Sequence, residues 1–72
     1  MAFCWDHNPA QQVRATVVRL NGRWYCDIRK FVKDGPEHYF ATAKGVSIPI
    51  EELGQLEVAV RQLRLTVEGL TR

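Results

Sequence analysis

Residues 25–31 read YCDIRKF: ring, small residue, acid, aliphatic, base, base, ring. In a strand, Tyr25, Asp27, Arg29 and Phe31 share one face, and Cys26, Ile28 and Lys30 share the other. Rings interleaved with guanidinium groups suit a flexible polyanion made of flat units, because cations neutralise phosphates and rings stack on any base. The chemistry on offer is binding. Asp27 lies between basic neighbours and reads as an ion-pair partner that orients Arg29 or caps a nearby loop. A catalytic carboxylate needs a second titrating group beside it, and none is evident. Cys4 and His7 have a spacing compatible with two metal ligands, but the other cysteine and histidine, Cys26 and His38, stand twelve residues apart on different strands, unlike the close pairs of structural zinc sites. Cys26 is expected to be buried and therefore inert as a nucleophile. With no glycine-rich phosphate loop and no paired-carboxylate motif, the expectation is no enzyme, no cofactor and no metal.

The charge is unevenly spread. Between residues 10 and 45, seven bases (Arg14, Arg19, Arg23, Arg29, Lys30, Lys33, Lys44) face three acids (Asp27, Asp34, Glu37). From residue 46 onward, three arginines face four glutamates. The positive field belongs to the first part, which points to a polyanion partner on one side; a scatter of solvated surface charges is the alternative. At 72 residues a single domain is expected. A chain of that size hides only about 60% of the surface its unfolded form exposes, so self-association is expected as well. Two cysteines make no disulfide framework. MAFCWDHNPA lacks the basic and apolar segments of a secretory leader, and no run approaches membrane-spanning length. The expected setting is intracellular, in cytoplasm, nucleoid or nucleus, or in a virus-infected cell, without membrane contact.

Several elements must hold these residues. Residues 1–12, with Asn8, Pro9 and paired glutamines, read as an irregular arm. VRATVVRL is rich in β-branched residues and runs into Asn21-Gly22, the pair best suited to a type I′ hairpin turn. RWYCDIRKFVK follows, ending at Asp34-Gly35-Pro36, a second turn signal. Strands are expected over about 13–20, 23–33, 37–44 and 45–48, with Gly45 separating the last two. Beyond Pro49 the period changes: Leu53, Leu56, Val60, Leu63, Val67 and Leu70 are spaced three, four, three, four, three, an apolar stripe on a helix of about residues 50–68 that Gly69 is placed to end. The stripe either packs on its own sheet or meets the same helix of another subunit. Under the helix belong Trp24, Cys26, Ile28, Val32, Val46 and Ile48 with Val13, Ala15 and Val17. The open face then receives Arg14, Arg23, Tyr25, Asp27, Arg29, Phe31 and Lys33, joined from the third strand by His38, Phe40, Thr42 and Lys44.

DIRKF at 27–31, then AKGVSIPIEEL at 43–53 and an apolar helix, resembles the family of the transcriptional coactivator positive cofactor four. The pattern there is a strand with Asp-Ile-Arg and an aromatic, followed by a Lys-Gly-Ile-Ser-Leu strand opening into a helix. The match spans about Val13 to Leu70. The resemblance implies an α+β fold with a curved four-stranded antiparallel sheet and one C-terminal helix, a homodimer, and a channel for single-stranded or locally unwound DNA. It carries DNA contacts over to Arg23, Arg29 and Lys44. Two family ring positions are Leu20 and Val32 here, and the base before Lys-Gly is Ala43. Stacking then falls to Tyr25, Phe31 or Phe40; the alternative for the rings is packing across a dimer or under the arm.

The expectation is a largely sequence-independent single-stranded DNA-binding protein serving transcription, replication or repair. Charge would come from Arg14, Arg23, Arg29, Lys33 and Lys44, and ring surface from Tyr25, Phe31 and Phe40. A protein–protein adaptor of the same fold, recruiting transcription or replication proteins, and an RNA-binding variant are the alternatives.

Overall fold

The computed structural model describes residues 2–71. Four antiparallel strands lie side by side in chain order: β1 (Ala2–Asn8), β2 (Gln11–Leu20), β3 (Arg23–Lys33) and β4 (Tyr39–Pro49). A 3₁₀ turn (Ile50–Glu52) leads into α1 (Leu53–Leu70). The expected type I′ hairpin is present between β2 and β3, with Asn21 at φ 51° and Gly22 at φ 78°, the positive values that match the twist of the flanking strands.

Two expected segments differ. The arm over residues 1–12 is largely a strand. Its Asn8-Pro9 signal is a tight reversal in which Asn8 Oδ1 accepts the Ala10 amide at 2.9 Å, turning β1 back to pair along β2 from Ala2↔Thr16 to Asp6↔Gln12. The two strands expected at 37–44 and 45–48 are one continuous β4. Gly45 does not separate them. It lets β4 approach β3 closely, since a Cβ there would stand 2.6 Å from the Ile28 carbonyl oxygen and 2.9 Å from Arg29 Cα, a usual reason for glycine inside a strand. The register slips beside it, between Arg29↔Gly45 and Phe31↔Ala41, and Thr42 bridges the irregularity by donating from Oγ1 to the Lys30 carbonyl at 2.8 Å.

The helix also ends later than expected. Gly69 lies within its last turn, and Thr71 closes it, with amide and hydroxyl both donating to the Val67 carbonyl. Leu53 and Leu56 reach the sheet at a depression lined by Ala15, Val17, Cys26 and Ile28. Farther along, α1 leaves the strands. Among the described residues none is buried, and the apolar stripe is open, with Leu63 64% and Leu70 79% exposed. The radius of gyration is 14.5 Å, against about 11 Å for a compact chain of this length. The chain by itself therefore leaves exposed the apolar surface that would make a core.

Candidate nucleic-acid interface

Alternation along paired strands sorts the side chains onto two faces, because residues directly opposite in an antiparallel ladder point the same way. Arg14↔Arg29, Gln12↔Phe31, Val18↔Tyr25 and Leu20↔Arg23 lie on the face away from the helix start, and Lys33↔Tyr39 continues that face onto β4. Six of the eight predicted binding residues, Arg14, Arg23, Tyr25, Arg29, Phe31 and Lys33, therefore come together there. The other two do not. Phe40 pairs with Val32, and Lys44 lines a depression with Val13, Ile28, Lys30 and Val46, so both belong to the helix side. The slip near Gly45 and the turn at 34–38 set the parity of β4, and strand alternation alone reads it wrongly at this point.

Arg29 is heavily engaged. Its Nε donates to Asp27 Oδ2 at 3.1 Å, Nη2 to Asp27 Oδ1 at 2.9 Å and Nη1 to the Thr42 carbonyl at 3.0 Å. Asp27 also accepts from Ser47 Oγ at 2.7 Å. The bidentate fork lies within β3 and holds the Arg29 guanidinium in place, while the bonds from Arg29 to the Thr42 carbonyl and from Ser47 to Asp27 tie β3 to β4 across the irregularity. The Arg29 hydrogen bond holds the Asp27 carboxyl below the ordinary aspartate range, against the opposing effect of burial and with help from Ser47 and the Arg29 charge. The same bond raises Arg29, against its own desolvation; both its states of reference lie far above neutral pH, so only the aspartate titrates in an accessible range.

The depressed carboxyl fixes a pH signature. Its stabilising contribution is complete above the unfolded-state value near 4 and disappears as pH falls through the lower folded-state value. Asp27→Asn is therefore expected to reduce stability at pH 7, with the gap to the parent closing toward pH 2. Urea melts of both proteins over that range check this, and a gap that does not change with pH would show that the carboxylate charge is not what matters.

Arg14 is held differently. Its guanidinium carbon sits 4.3 Å from the Phe31 ring centroid and 5.3 Å from that of Tyr39, and Nε donates to Gln12 Oε1 at 3.1 Å. Gln12 is in turn anchored to Asp6 Oδ1 at 3.2 Å. Among the described residues no carboxylate pairs with Arg14. Ring contact and the glutamine fix the plane of the cation while its terminal nitrogens stay available for an anion. Tyr39 and Gln12 are parts of this cluster that the sequence reading missed; the signal was their register opposite Lys33 and Phe31. Phe31 is then occupied by a cation in the free protein, and Tyr25 and Phe31 are half-buried.

On the helix side Arg19 stands over Trp24 at 5.6 Å, and Phe3 and Trp5 of β1 are neighbours with centroids 6.0 Å apart. Among the described residues no cluster of histidine, cysteine and carboxylate side chains suits a metal, and no helix is long and apolar enough to cross a membrane.

A meander of four strands, with a tight hairpin between β2 and β3 and a Lys-Gly close approach leading into a helix, frames this face. The family profile for Transcriptional Coactivator p15 (PC4) matches residues 8–59. The chain belongs to the PC4 family. The bacteriophage T5 homolog of the eukaryotic coactivator PC4, implicated in recombination-dependent DNA replication, shares 30% identity over 94% of this chain and 80% of its own, with a TM-score of 0.77. A PC4 homolog from Burkholderia pseudomallei shares 28% identity over 90% of this chain and 84% of its own, with a TM-score of 0.76. MoSub1, solved as a DNA complex, covers 99% of this chain and 87% of its own with a TM-score of 0.67; at 11% identity that likeness speaks for the fold alone. No curated protein matches by sequence. The expected family and the open four-stranded sheet with a C-terminal helix both hold. The PC4 family is one of transcriptional coactivators, and its phage T5 homolog is implicated in recombination-dependent DNA replication.

Proposed function

We propose that this PC4-family chain binds single-stranded DNA as a homodimer, with little preference for base sequence, in support of transcription or of DNA replication and recombination inside the cell. The observation that carries the reading is the Arg14 site, a cation fixed in plane by two rings with no carboxylate partner among the described residues. Such a group favours an anion that approaches edge-on, as a phosphate does. Arg23 and Lys33 extend the positive field along the same face, and Arg29 contributes charge while its geometry serves the β3–β4 junction. The dimer follows from the exposed apolar stripe of α1, which needs a second copy to leave water. The binding role needs no catalytic group, cofactor or metal.

A salt titration with a fluorescent oligothymidine tests the electrostatic basis. Log affinity is expected to fall linearly with log salt, by about 0.7 for each phosphate neutralised, and a flat line sinks the proposal. Arg14→Gln should weaken binding more than Arg61→Gln on the helix; equal losses would move the site off the sheet. Duplex DNA and RNA of equal length, run beside it, decide between strand types. One observation favours a second reading, a protein–protein adaptor: aliphatic Leu20 and Val32 stand where the resemblance leads one to expect rings. Helix-dependent capture of protein partners, without oligonucleotide binding at moderate salt, selects it.

A further inference from the structure

The sheet has two outer strands, and they are built differently. β4 carries Lys44, a register slip beside Gly45 and Pro49 at its end, devices that discourage pairing with another strand. β1 lacks them. From Ala2 to Asp6 it pairs with β2 without interruption, and AFCWD contains no lysine, arginine, proline or glycine. Among the described residues β1 has a neighbour only on its β2 side, so the backbone groups of its other side form an open row of donors and acceptors. Phe3 and Trp5 share the helix-side face of this strand, since they pair with Ala15 and Val13. They are 70% and 48% exposed, with ring centroids 6.0 Å apart.

The segment is complementary to itself. An antiparallel copy related by a two-fold axis must align one residue with its own counterpart, because residues opposite each other in the ladder share a face. The register that uses all of Ala2–Asp6 puts Cys4 on the axis. Phe3 then lies opposite Trp5 of the second copy, and Trp5 opposite its Phe3, so that four rings gather on the helix side at the spacing of stabilising cross-strand aromatic pairs. The two Asp6 carboxylates stay about 14 Å apart along the strands, beyond strong repulsion at ordinary salt. Moving the axis one residue toward the turn takes the ladder into the bulge between Asp6 and Asn8. Moving it the other way leaves Trp5 with no ring opposite.

We propose that β1 pairs edge to edge with β1 of a second copy, antiparallel and with Cys4 on the two-fold axis, joining two four-stranded sheets into one. The occupant is the same chain because this strand itself supplies the rings, the spacing of charge and the open backbone that the edge requires. The α1 stripe and the β1 edge are different surfaces, so the helix-mediated dimer proposed above carries a second kind of two-fold contact and assembly extends beyond a dimer. The two Arg14 positions, each one strand inward of Cys4, come to lie three interstrand gaps apart on a continuous face, about 14 Å. The edge contact does not depend on what that face binds.

Cys4 reports the register. In a Cys26→Ser background, Cys4 and its counterpart have Cα atoms about 4.5–5.5 Å apart in this arrangement, within the span of a disulfide, and mild oxidation with diamide is expected to cross-link the chains in high yield. The Cys4→Ser, Asp6→Cys chain in the same background holds its thiols about 14 Å apart and should cross-link at least about tenfold more slowly. Phe3→Lys with Trp5→Lys places on β1 the charges that guard an edge. By sedimentation velocity the parent should have about twice the mass of this variant, or more, at equal concentration, and the ratio holds whether or not α1 also joins two chains. Phe3→Thr with Trp5→Thr, which keeps the preference for a strand, guards against misfolding and should lose the same mass. Equal cross-linking of the two cysteine positions, or equal masses for the parent and both ring variants, overturns the proposal.

Discussion

Val60→Asp combined with Leu63→Asp is expected to prevent self-association and, with it, cooperative unfolding. Both residues belong to the helical stripe and are open in the protomer, Val60 at 48% and Leu63 at 64% exposure. Burying an aliphatic side chain of this size contributes about 1.5–3 kcal/mol, and a two-fold interface loses each contribution twice. Two substitutions thus remove several kcal/mol, comparable to the whole stability of a small domain, about 5–15 kcal/mol. Sedimentation equilibrium should give the monomer mass for the variant. Its thermal melt should be broad, whereas that of the parent should sharpen and rise with protein concentration. A variant with parental mass and melt would mean the stripe is not the contact.

Gly45→Ala carries the second large effect, for a reason confined to a few atoms. The added methyl would stand 2.6 Å from the Ile28 carbonyl oxygen and 2.9 Å from Arg29 Cα, against backbone that cannot swing aside. Forcing atoms into a packed position costs about 1–3 kcal/mol, and in a domain this small each kcal/mol lowers the melting point by about 4–8 °C. The displaced Arg29 backbone would also disturb the fork on Asp27. At Gly54, in the first turn of α1, a methyl meets nothing within 4 Å, so Gly54→Ala is expected to be neutral or stabilising by up to about 1 kcal/mol. Opposite signs at the two glycines, in melts at one protein concentration, check the argument; equal effects would mean that the close approach of β4 to β3 is relaxed in solution.

Gly45 also shows where sequence reading stops. A glycine between apolar runs looks like punctuation, and only its neighbour across the ladder reveals it as a point of close approach. The hairpin at Asn21-Gly22 was legible because its demand on φ is local, and the helix because its period is carried by six residues of one segment. β1 was not legible: Phe3 and Trp5 alternate as strand residues do, but a seven-residue segment that ends on the Asn of an Asn-Pro pair becomes a strand only through β2. The membership of the proposed binding face was legible where alternation ran unbroken along β3, while Phe40 and Lys44, beyond the slip, lie on the other face. Tyr39 was lost for the same reason, and with it the ring on the far side of Arg14. The apolar stripe announced that it would be covered without saying by what, since the same residues serve a sheet or a second helix.

The strand order of the sheet is the chain order, and this bears on how the molecule is made. Each β-ladder joins sequence neighbours through a short loop, so as the nascent chain emerges every hairpin can zip without waiting for distant residues, the regime of rapid collapse. In the proposed dimer, completion would then depend on two newly made copies meeting. Synthesis on neighbouring ribosomes of one message would speed that encounter, while dilution would leave single chains, with the α1 stripe open, exposed to proteases.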